Sequence, residues 1–359
     1  MKLSEEQLKA VEMIDTATQP VRLIGGPGVG KSTVINHLRS RIIKVAPTNK
    51  AATLIDGMTV HKLLGLSVKE ERGKVITVPT RKTPRAPILQ KCVFDESSCI
   101  PKDILEKYIL PLVPNAIFVG DEAQLNPVGE EKIPFIALDL PTVKLEHVHR
   151  FEGELLEVAY DLRKSIFNDE HEFAIPASWQ SSEIYDLGEN DIIIAWRNDT
   201  VNLYNQLIKK HRFGTTDWVV GEHVRIGTHY ERLRLLTESE YTIVNVSRDF
   251  STPYEAWKIT LSDGSIVPVL HDSEKSKYKH ELKKLADAQD WPSFWFLNKM
   301  FCDLRPSFAI TAHKAQGSTY DNVYVDYFDI FGNNNTNEAR RAAYVATTRA
   351  RYSVRNLVL

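Results

Sequence analysis

The apolar positions of the chain recur in two rhythms. In "SEEQLKAVEMI" they return every three to four residues, as on a helix with one buried face, and Ser4 and Gln7 hold the two positions of a capping box. "VRLIGG" is a short apolar run entering a glycine-rich turn, "KSTVINHLRSR" is helical, and "IIKVAPT" is a strand again. "NKAATLIDG" returns to helix, and the strands "KCVF" and "NAIFVG" flank one helix around "PKDILEKYIL". Strands alternating with helices predict an α/β fold whose mostly parallel sheet is covered on both faces.

Residues 66–90 break this rhythm with a β-hairpin turning at "ERGK" and a return rich in Pro, Arg and Lys, which reads as an insertion. A second α/β region starts near residue 148, with the helix "GELLEVAYDLRKSI", the strand "DIIIAW" and the helix "DTVNLYNQLIKKH". From about residue 219 short strands separated by turns ("EHVRIG", "YTIVNVS", "AWKITLSDG", "SIVPVL") suggest a small β-barrel. A polar helical stretch and the aromatic cluster "DWPSFWF" follow before α/β texture resumes. The expected division is a first α/β domain over 1–65 and 91–147, a hairpin insertion over 66–90, a second α/β domain over 148–218 and 305–359, and a β-rich and aromatic insertion over 219–304.

Composition narrows the setting. The 359 residues are 43% hydrophobic and 26% charged, as in an ordinary globular protein, with no apolar run long enough to cross a membrane and no signal-peptide core at the start. Cys92, Cys99 and Cys302 form no C-x-x-C pair, so a reduced cytoplasmic compartment fits better than a disulfide framework or a zinc site. The net charge of −2 excludes a uniformly basic coat but leaves room for a local basic groove.

The strongest chemical signal is "GGPGVGKST", which fits G-x-x-x-x-G-K-[ST] through Gly25, Gly30, Lys31 and Ser32 between a strand and a helix. Its glycines let backbone N–H groups converge on phosphate oxygens, Lys31 reaches the β- and γ-phosphates, and Ser32 ligates magnesium. ATP and Mg2+ are therefore the expected cofactors. The site then needs a metal-binding acid and a group that activates water. Two Asp-Glu pairs end apolar runs, one in "CVFDESS" and one in "VGDEAQLNPVG". A helix leads from Asp95-Glu96 to the next strand, and the second pair runs into a turn where Gln124 can reach a γ-phosphate. Asp95 is thus assigned to magnesium and Glu96 to the base, with Asp121 and Gln124 as a sensor loop; the reverse assignment, with Asp121-Glu122 as the metal pair, stays open on the residues alone.

These motifs and their order resemble those of superfamily 1 helicases of class B, the RecD-like, Dda-like group, along nearly the whole chain. Gln7 resembles the adenine-reading glutamine, "GGPGVGKST" motif I, "APTNKAA" motif Ia, "TVHKLLG" motif Ib and "FDESS" motif II. "GDEAQLNPV" is similar to motif III, with Asn126 replacing a proline; "LEHVHRF" resembles motif IV, "AITAHKAQGSTYDNVYV" motif V and "AYVATTRAR" motif VI. The resemblance implies two RecA-like domains, an SH3-like barrel in the second insertion, and Asp95 rather than Asp121 at the metal. It implies catalytic roles for Lys31, Glu96, Gln124, Arg150 and Arg349, and nucleotide contacts from Gln7, Gly26, Gly28, Val29, Gly30, Lys31, Ser32, Thr33, Gln316 and Gly317. Arg150 and Arg349 would reach the phosphates from across a cleft, which couples ATP state to domain motion. A surface salt bridge is the plainer reading of Arg349; His147 and His149 alternate on an expected strand and could suggest a metal, but packed histidines are the plainer reading.

Pro47, Thr48, Asn49, Lys50, His61, His313, Lys314 and Thr319 carry over as strand contacts, of types suited to phosphates rather than to reading sequence. In the resembling helicases a hairpin at the place of 66–90 is a pin that splits the duplex; the plainer reading is a basic loop. Trp291 and Trp295 either bind bases, meet the pin or fill a core. The implied function is an ATP-dependent helicase that moves 5′-to-3′ on single-stranded DNA and unwinds duplex DNA, serving replication, repair or recombination. Single-stranded and fork DNA are the expected partners, with a single-strand-binding or loading protein, since no accessory domain is expected on this minimal motor. It is expected to be a monomer in the cytoplasm of a bacterial or phage-infected cell, off the membrane. The rivals are an RNA or DNA translocase without robust unwinding, a P-loop kinase, and a nonmotor ATP-gated binding protein.

Overall fold

The computed structural model describes residues 3–71, 74–149 and 152–358. In chain order the amino-terminal part runs α1 (Glu5–Thr16), β1 (Val21–Gly25), α2 (Lys31–Asn36), β2 (Ile42–Ala46), α3 (Asn49–Leu54), β3 (Met58–Thr59), α4 (Val60–Leu63), β4 (Leu66–Glu71), β5 (Lys74–Pro79), β6 (Lys91–Phe94), α5 (Lys102–Ile104), α6 (Leu110–Leu112), β7 (Ala116–Gly120) and β8 (Thr142–Leu145). Six strands form one parallel sheet, ordered β3-β2-β6-β7-β1-β8. Phe94 and Phe118 point to one buried face, while Val93, Ile117 and Val119 point to the other. Both faces are covered, as in parallel sheets flanked by helices. Arg22 ties the edge strand down: its Nε donates to Thr142 Oγ1 at 2.9 Å and its Nη1 to Ile136 O at 2.5 Å.

Two helices are shorter than their apolar pattern predicts. α2 stops at Asn36 because the Asp15 carboxylate accepts the Arg39 and Ser40 amides and the Ser40 hydroxyl, drawing the chain off the helix towards β2. The helix expected around "PKDILEKYIL" is divided by a π turn over Leu105–Ile109. Pro111 follows that turn, and proline supplies no amide to bond the preceding turn.

β4 and β5 pair antiparallel as a separate hairpin, its turn at Arg72 and Gly73 lying outside the described residues. Its base is fastened: the Thr80 amide, the Thr80 hydroxyl and the Thr83 hydroxyl all donate to Gly65 O, at 3.1, 2.6 and 2.9 Å. Gly65 has φ 59°, and a Cβ there would overlap the backbone of Lys82, so the site excludes any side chain.

The rest of the chain runs α7 (Glu154–Phe167), β9 (Gln180–Ser181), β10 (Ile192–Ala195), α8 (Asn198–Phe213), β11 (His223–Ile226), β12 (Glu240–Asp249), β13 (Ala256–Leu261), β14 (Ile266–Leu270), α9 (Lys275–Asp287), α10 (Trp291–Asn298), β15 (Leu304–Pro306), β16 (Ala309–Thr311), α11 (Ala312–Ala315), β17 (Tyr320–Val325), α12 (Tyr327–Phe331), α13 (Thr336–Thr347) and β18 (Ala350–Leu357). A second sheet is ordered β16-β10-β17-β18-β9, and α13 packs on α7. A five-stranded antiparallel sheet, β14-β13-β12-β11-β15, surrounds a core that includes Ile226, Ile259 and Leu261. Cys302, just before β15, donates its amide to Pro268 O of β14 at 2.8 Å, so the sheet curls until its edges meet. Pro268 sits on an edge strand, where a missing amide is tolerated. The chain forms two compact units: Met1–Ser182 with Ile194–Arg197 and Thr311–Leu359, and Glu183–Ile193 with Asn198–Ile310. Among the described residues no helix is long and apolar enough to cross a membrane.

Candidate functional site

Within the first unit the loop after β1 opens onto a cavity of about 580 Å³. Gly28, Gly30, Lys31, Ser32 and Thr33 line it from the loop and the start of α2. Gly30 has φ 89°, and a Cβ there would overlap Gln7 Nε2. Gln7 is buried; its Oε1 accepts the Ser4 amide at 3.1 Å and its Nε2 donates to Val29 O at 3.4 Å. The expected capping box thus also anchors α1 to the phosphate loop. Lys31 Nζ folds back onto Gly25 O at 2.7 Å and Gly26 O at 2.8 Å. Burial lowers its pKa, against the pull of Asp121, Glu96 and Asp95.

The two Asp-Glu pairs have different surroundings. Asp95 and Glu96 leave the end of β6 and line the same cavity as Lys31 and Ser32. Glu96 has φ 50°, a left-handed backbone uncommon for a glutamate, and the Asp95 carboxylate accepts the Glu96 amide at 3.0 Å. Burial, with the Glu96 charge beside it, raises the Asp95 carboxyl to about 6 despite Lys31. Asp121, by contrast, is fully buried and its oxygens are taken. Oδ1 accepts the Ala123 amide at 3.0 Å and Arg163 Nη1, and Oδ2 accepts the Tyr344 hydroxyl at 2.8 Å. Arg163 Nη2 donates to Glu122 Oε1 at 3.2 Å, so one guanidinium spans both acids. Arg341 Nη1 holds the following backbone, donating to Glu122 O and Gln124 O at 2.7 Å each. The second pair is therefore a docking point for α7 and α13, and Asp95 is the acid that faces the phosphate loop.

Gln124 lines the large cavity, and its Oε1 accepts from the buried Ser98 hydroxyl at 3.0 Å. Arg349 lines it too. It is buried, and uncharged oxygens hold its guanidinium: Val345 O at 3.1 Å, Ser318 O at 3.4 Å and Thr348 Oγ1 at 3.3 Å. The plain surface salt bridge is not what Arg349 forms. Gly317 lines the cavity opposite Glu96, while Gln316 accepts the Cys99 thiol on its Oε1 at 3.4 Å and keeps a buried Nε2 without a partner. Gly26 and Val29 line a second, smaller cavity of about 140 Å³ with Glu122, Arg163 and Tyr344. Arg150 lies outside the described residues. β8 ends at Leu145, so His147 and His149 are not on a strand; their rings meet edge-on at 4.5 Å.

The candidate strand contacts are spread more widely. Thr48 caps α3, accepting the Ala51 amide at 3.2 Å; Pro47, Asn49 and Lys50 beside it are half-buried. His61 is half-buried with an unpartnered Nε2, and burial lowers its pKa. His313 and Lys314 are half-buried on α11, whereas Thr319 lines the nucleotide-sized cavity beside Gly317. Trp291 and Trp295 belong to the other unit and are 50% and 45% exposed, so they are not core residues. Arg163, Arg341 and Tyr344 escaped the sequence reading. Arg341 and Tyr344 carried a signal, standing with Thr348 at a spacing of three to four on one helical face just ahead of Arg349; Arg163 carried none.

Residues 2–171 match the AAA domain family, and residues 306–355 match the UvrD-like helicase C-terminal domain family. The chain is 26% identical to the ATP-dependent DNA helicase Dda of Enterobacteria phage T4, over 98% of each chain. It is 24% identical to the ATP-dependent DNA helicase Pif1 of Bdellovibrio bacteriovorus, over 98% of this chain and 86% of that one. Among solved structures, a Bacteroides Pif1 helicase in complex with ADP-AlF3 and single-stranded DNA matches with a TM-score of 0.63 at 17% identity, covering 99% of this chain and 92% of that one. Pif1 helicase from Candida albicans matches with a TM-score of 0.60 at 16% identity, covering 100% and 95%. The likeness shows an α/β fold with RecA-like parallel sheets. Two family matches toward the two ends of the chain, and relatives that align along nearly all of it, make this chain similar to the Pif1-, Dda- and RecD-like helicases of superfamily 1.

Proposed function

We propose that this chain is an ATP-hydrolysing DNA helicase that steps 5′-to-3′ along single-stranded DNA and opens duplex ahead of it. One observation carries the reading: a single cavity gathers the phosphate loop, Asp95, Glu96, Gln124 and Arg349. Lys31 exchanges the carbonyls of Gly25 and Gly26 for β- and γ-phosphate oxygens. Gln7 reads adenine, and Gly317 closes on the nucleotide. Ser32 and Asp95 fit magnesium: both are hard oxygen donors, and burial has left the Asp95 carboxyl short of compensating charge. When bound there, magnesium neutralises phosphate charge. Glu96 takes the proton of the attacking water, Gln124 orients that water, and Arg349 and Arg150 stabilise the charge that spreads over the transferred phosphoryl group.

The proposed domains are two RecA-like ones, over 1–65 with 91–147 and over 148–218 with 305–359, carrying the hairpin of 66–90 and the inserted sheet within 219–304. The hairpin acts as the wedge, and its fastening at Gly65 supports that use. The curl of the inserted sheet supports an SH3-like barrel. Opening a base pair costs roughly 1–2 kcal/mol of stacking and pairing, well within one hydrolysis step. The protein works as a monomer on forks, loaded by a partner or by the substrate's own structure.

The test compares ATPase rates with and without single-stranded DNA or RNA, then unwinding of duplexes with 5′ or 3′ tails. DNA-stimulated turnover with unwinding from 5′ tails is expected. Stimulation by RNA alone would move the substrate, and turnover indifferent to any strand would sink the motor. Glu96→Gln should stop hydrolysis while ATP still binds, and Glu122→Gln should retain most turnover; the opposite pattern would reverse the two acid pairs.

A further inference from the structure

The end of β10 carries a constellation that the nucleotide site does not use. Trp196 and Arg197 follow the strand directly. Asp329 of α12, only 2% exposed, accepts both of their amides on Oδ2, at 2.7 and 2.8 Å, and Arg197 Nε on Oδ1 at 2.5 Å. Asp329 is itself fixed, since its own amide donates to the Asp326 side chain at 2.8 Å. One buried carboxylate with three donors leaves this turn little freedom. It presents the Trp196 ring half-buried beside His313, with ring centroids 5.0 Å apart at 45°, and leaves the Arg197 side chain 68% exposed. His313 and Lys314 are themselves candidate strand contacts, so the two groups share one edge of the second sheet.

The chemistry of that edge is an aromatic face next to cations. A residue that only fills space needs neither a backbone locked by a buried charge nor a guanidinium held outward by the same carboxylate. Bases offer π-faces whatever their identity, and an immobilised indole stacks on them without reading sequence. We propose that Trp196 is a base-stacking station for single-stranded nucleic acid, with Arg197 as the adjoining phosphate contact and Asp329 as the positioning residue for both. The proposal rests on the reading of the chain as a strand-translocating motor and adds a base contact beside the phosphate contacts proposed for His313 and Lys314. A rigid stacking station gives the second sheet a grip that resists slippage at high salt, because stacking is less screened than phosphate pairing.

The experiment uses the full chain and measures binding of oligo-dT and of an abasic oligonucleotide of equal length by fluorescence anisotropy, without nucleotide and across a salt series. Trp196→Ala should weaken oligo-dT binding about tenfold or more, with the loss persisting at high salt, and leave abasic binding unchanged. Trp196→Phe should recover most of the affinity, which separates stacking from misfolding. Arg197→Ala should reduce the slope of log K against log salt by about 0.7, one phosphate contact. Asp329→Asn should weaken oligo-dT binding without changing abasic binding beyond the Arg197 effect. Fluorescent-ATP binding should stay at the wild-type level in all four. For Trp196→Ala, equal losses on oligo-dT and abasic strands, or none on either, would overturn the station. Wild-type protein that binds no single strand would instead overturn the motor reading beneath it.

Discussion

Arg163→Ala tests whether the second acid pair is a structural clamp. Asp121 is fully buried and has three donors: Arg163 Nη1, the Tyr344 hydroxyl and the Ala123 amide. Removing the guanidinium leaves a buried carboxylate with two neutral donors. Breaking one side of a buried pair costs roughly 3–5 kcal/mol. The Arg163 side chain is 23% exposed and reaches the smaller cavity, so solvent can enter and the lower end, about 3 kcal/mol, applies. The lost contact to half-buried Glu122 adds at most about 1 kcal/mol. Asp121→Asn removes the charge that Arg163 serves, so in the double variant the losses should not add: a coupling of about 2 kcal/mol is expected. Urea unfolding of the four proteins gives the cycle. The clamp also has a kinetic readout. Arg341 holds Glu122 O and Gln124 O on the same loop, so loosening it misplaces Gln124, and kcat should fall more than ATP affinity. A loss under about 1 kcal/mol with no coupling would refute the clamp and return Asp121 to the metal-binding candidates.

Three further outcomes follow from the site. Arg349→Ala should slow strand-stimulated hydrolysis by about 10³-fold, with a smaller effect on ATP binding; a loss under about tenfold in single-turnover assays would remove its catalytic role. Burial raises the Asp95 carboxyl from 3.8 to about 6, so stability from this group is present at low pH and lost as pH rises through about 6. Nucleotide-free Asp95→Asn should therefore gain on the wild type by about 1–2 kcal/mol between about pH 4 and pH 7, after discounting for solvent in the cavity, and lose its stabilisation by magnesium-ATP; unfolding curves across pH check both. Replacing Val68–Ile88 with a short Gly/Ser linker should spare single-strand-stimulated ATPase but collapse the base pairs opened per ATP at saturating DNA, and an unchanged ratio would place the wedge elsewhere.

Local pattern and motif made much of this protein legible. The alternation of apolar runs and helical faces predicts parallel sheets, and the glycine-rich turn sits between β1 and α2, where the spacing puts it. What stayed hidden depended on distant partners. α2 ends early because of Asp15, a residue on the preceding helix. The difference between the two Asp-Glu pairs lies in Arg163 and Tyr344, 42 and 223 residues from Asp121. In sequence these residues are a helical arginine and a tyrosine beside a motif; only packing of α13 on α7 makes them a clamp. The aromatic run of α10 looked equally suited to a core or a surface, because its apolar residues circle the helix without a preferred face.

The seat of β1 has a consequence for how the protein is made. β1 lies between β7 and β8, both of which are synthesised after it, and Arg22 reaches Thr142 across 120 residues of chain. Its phosphate loop therefore has no finished support until the segment ending at Leu145 has been translated and has come back to it. Contacts this far apart in sequence form slowly, since a long loop must close before they give any return. In the interval β1 presents two open edges that chaperones or neighbouring chains can reach. Nucleotide cannot nucleate this fold from its amino terminus. It can only recognise a sheet already closed, so ATP affinity gives a late measure of correct assembly.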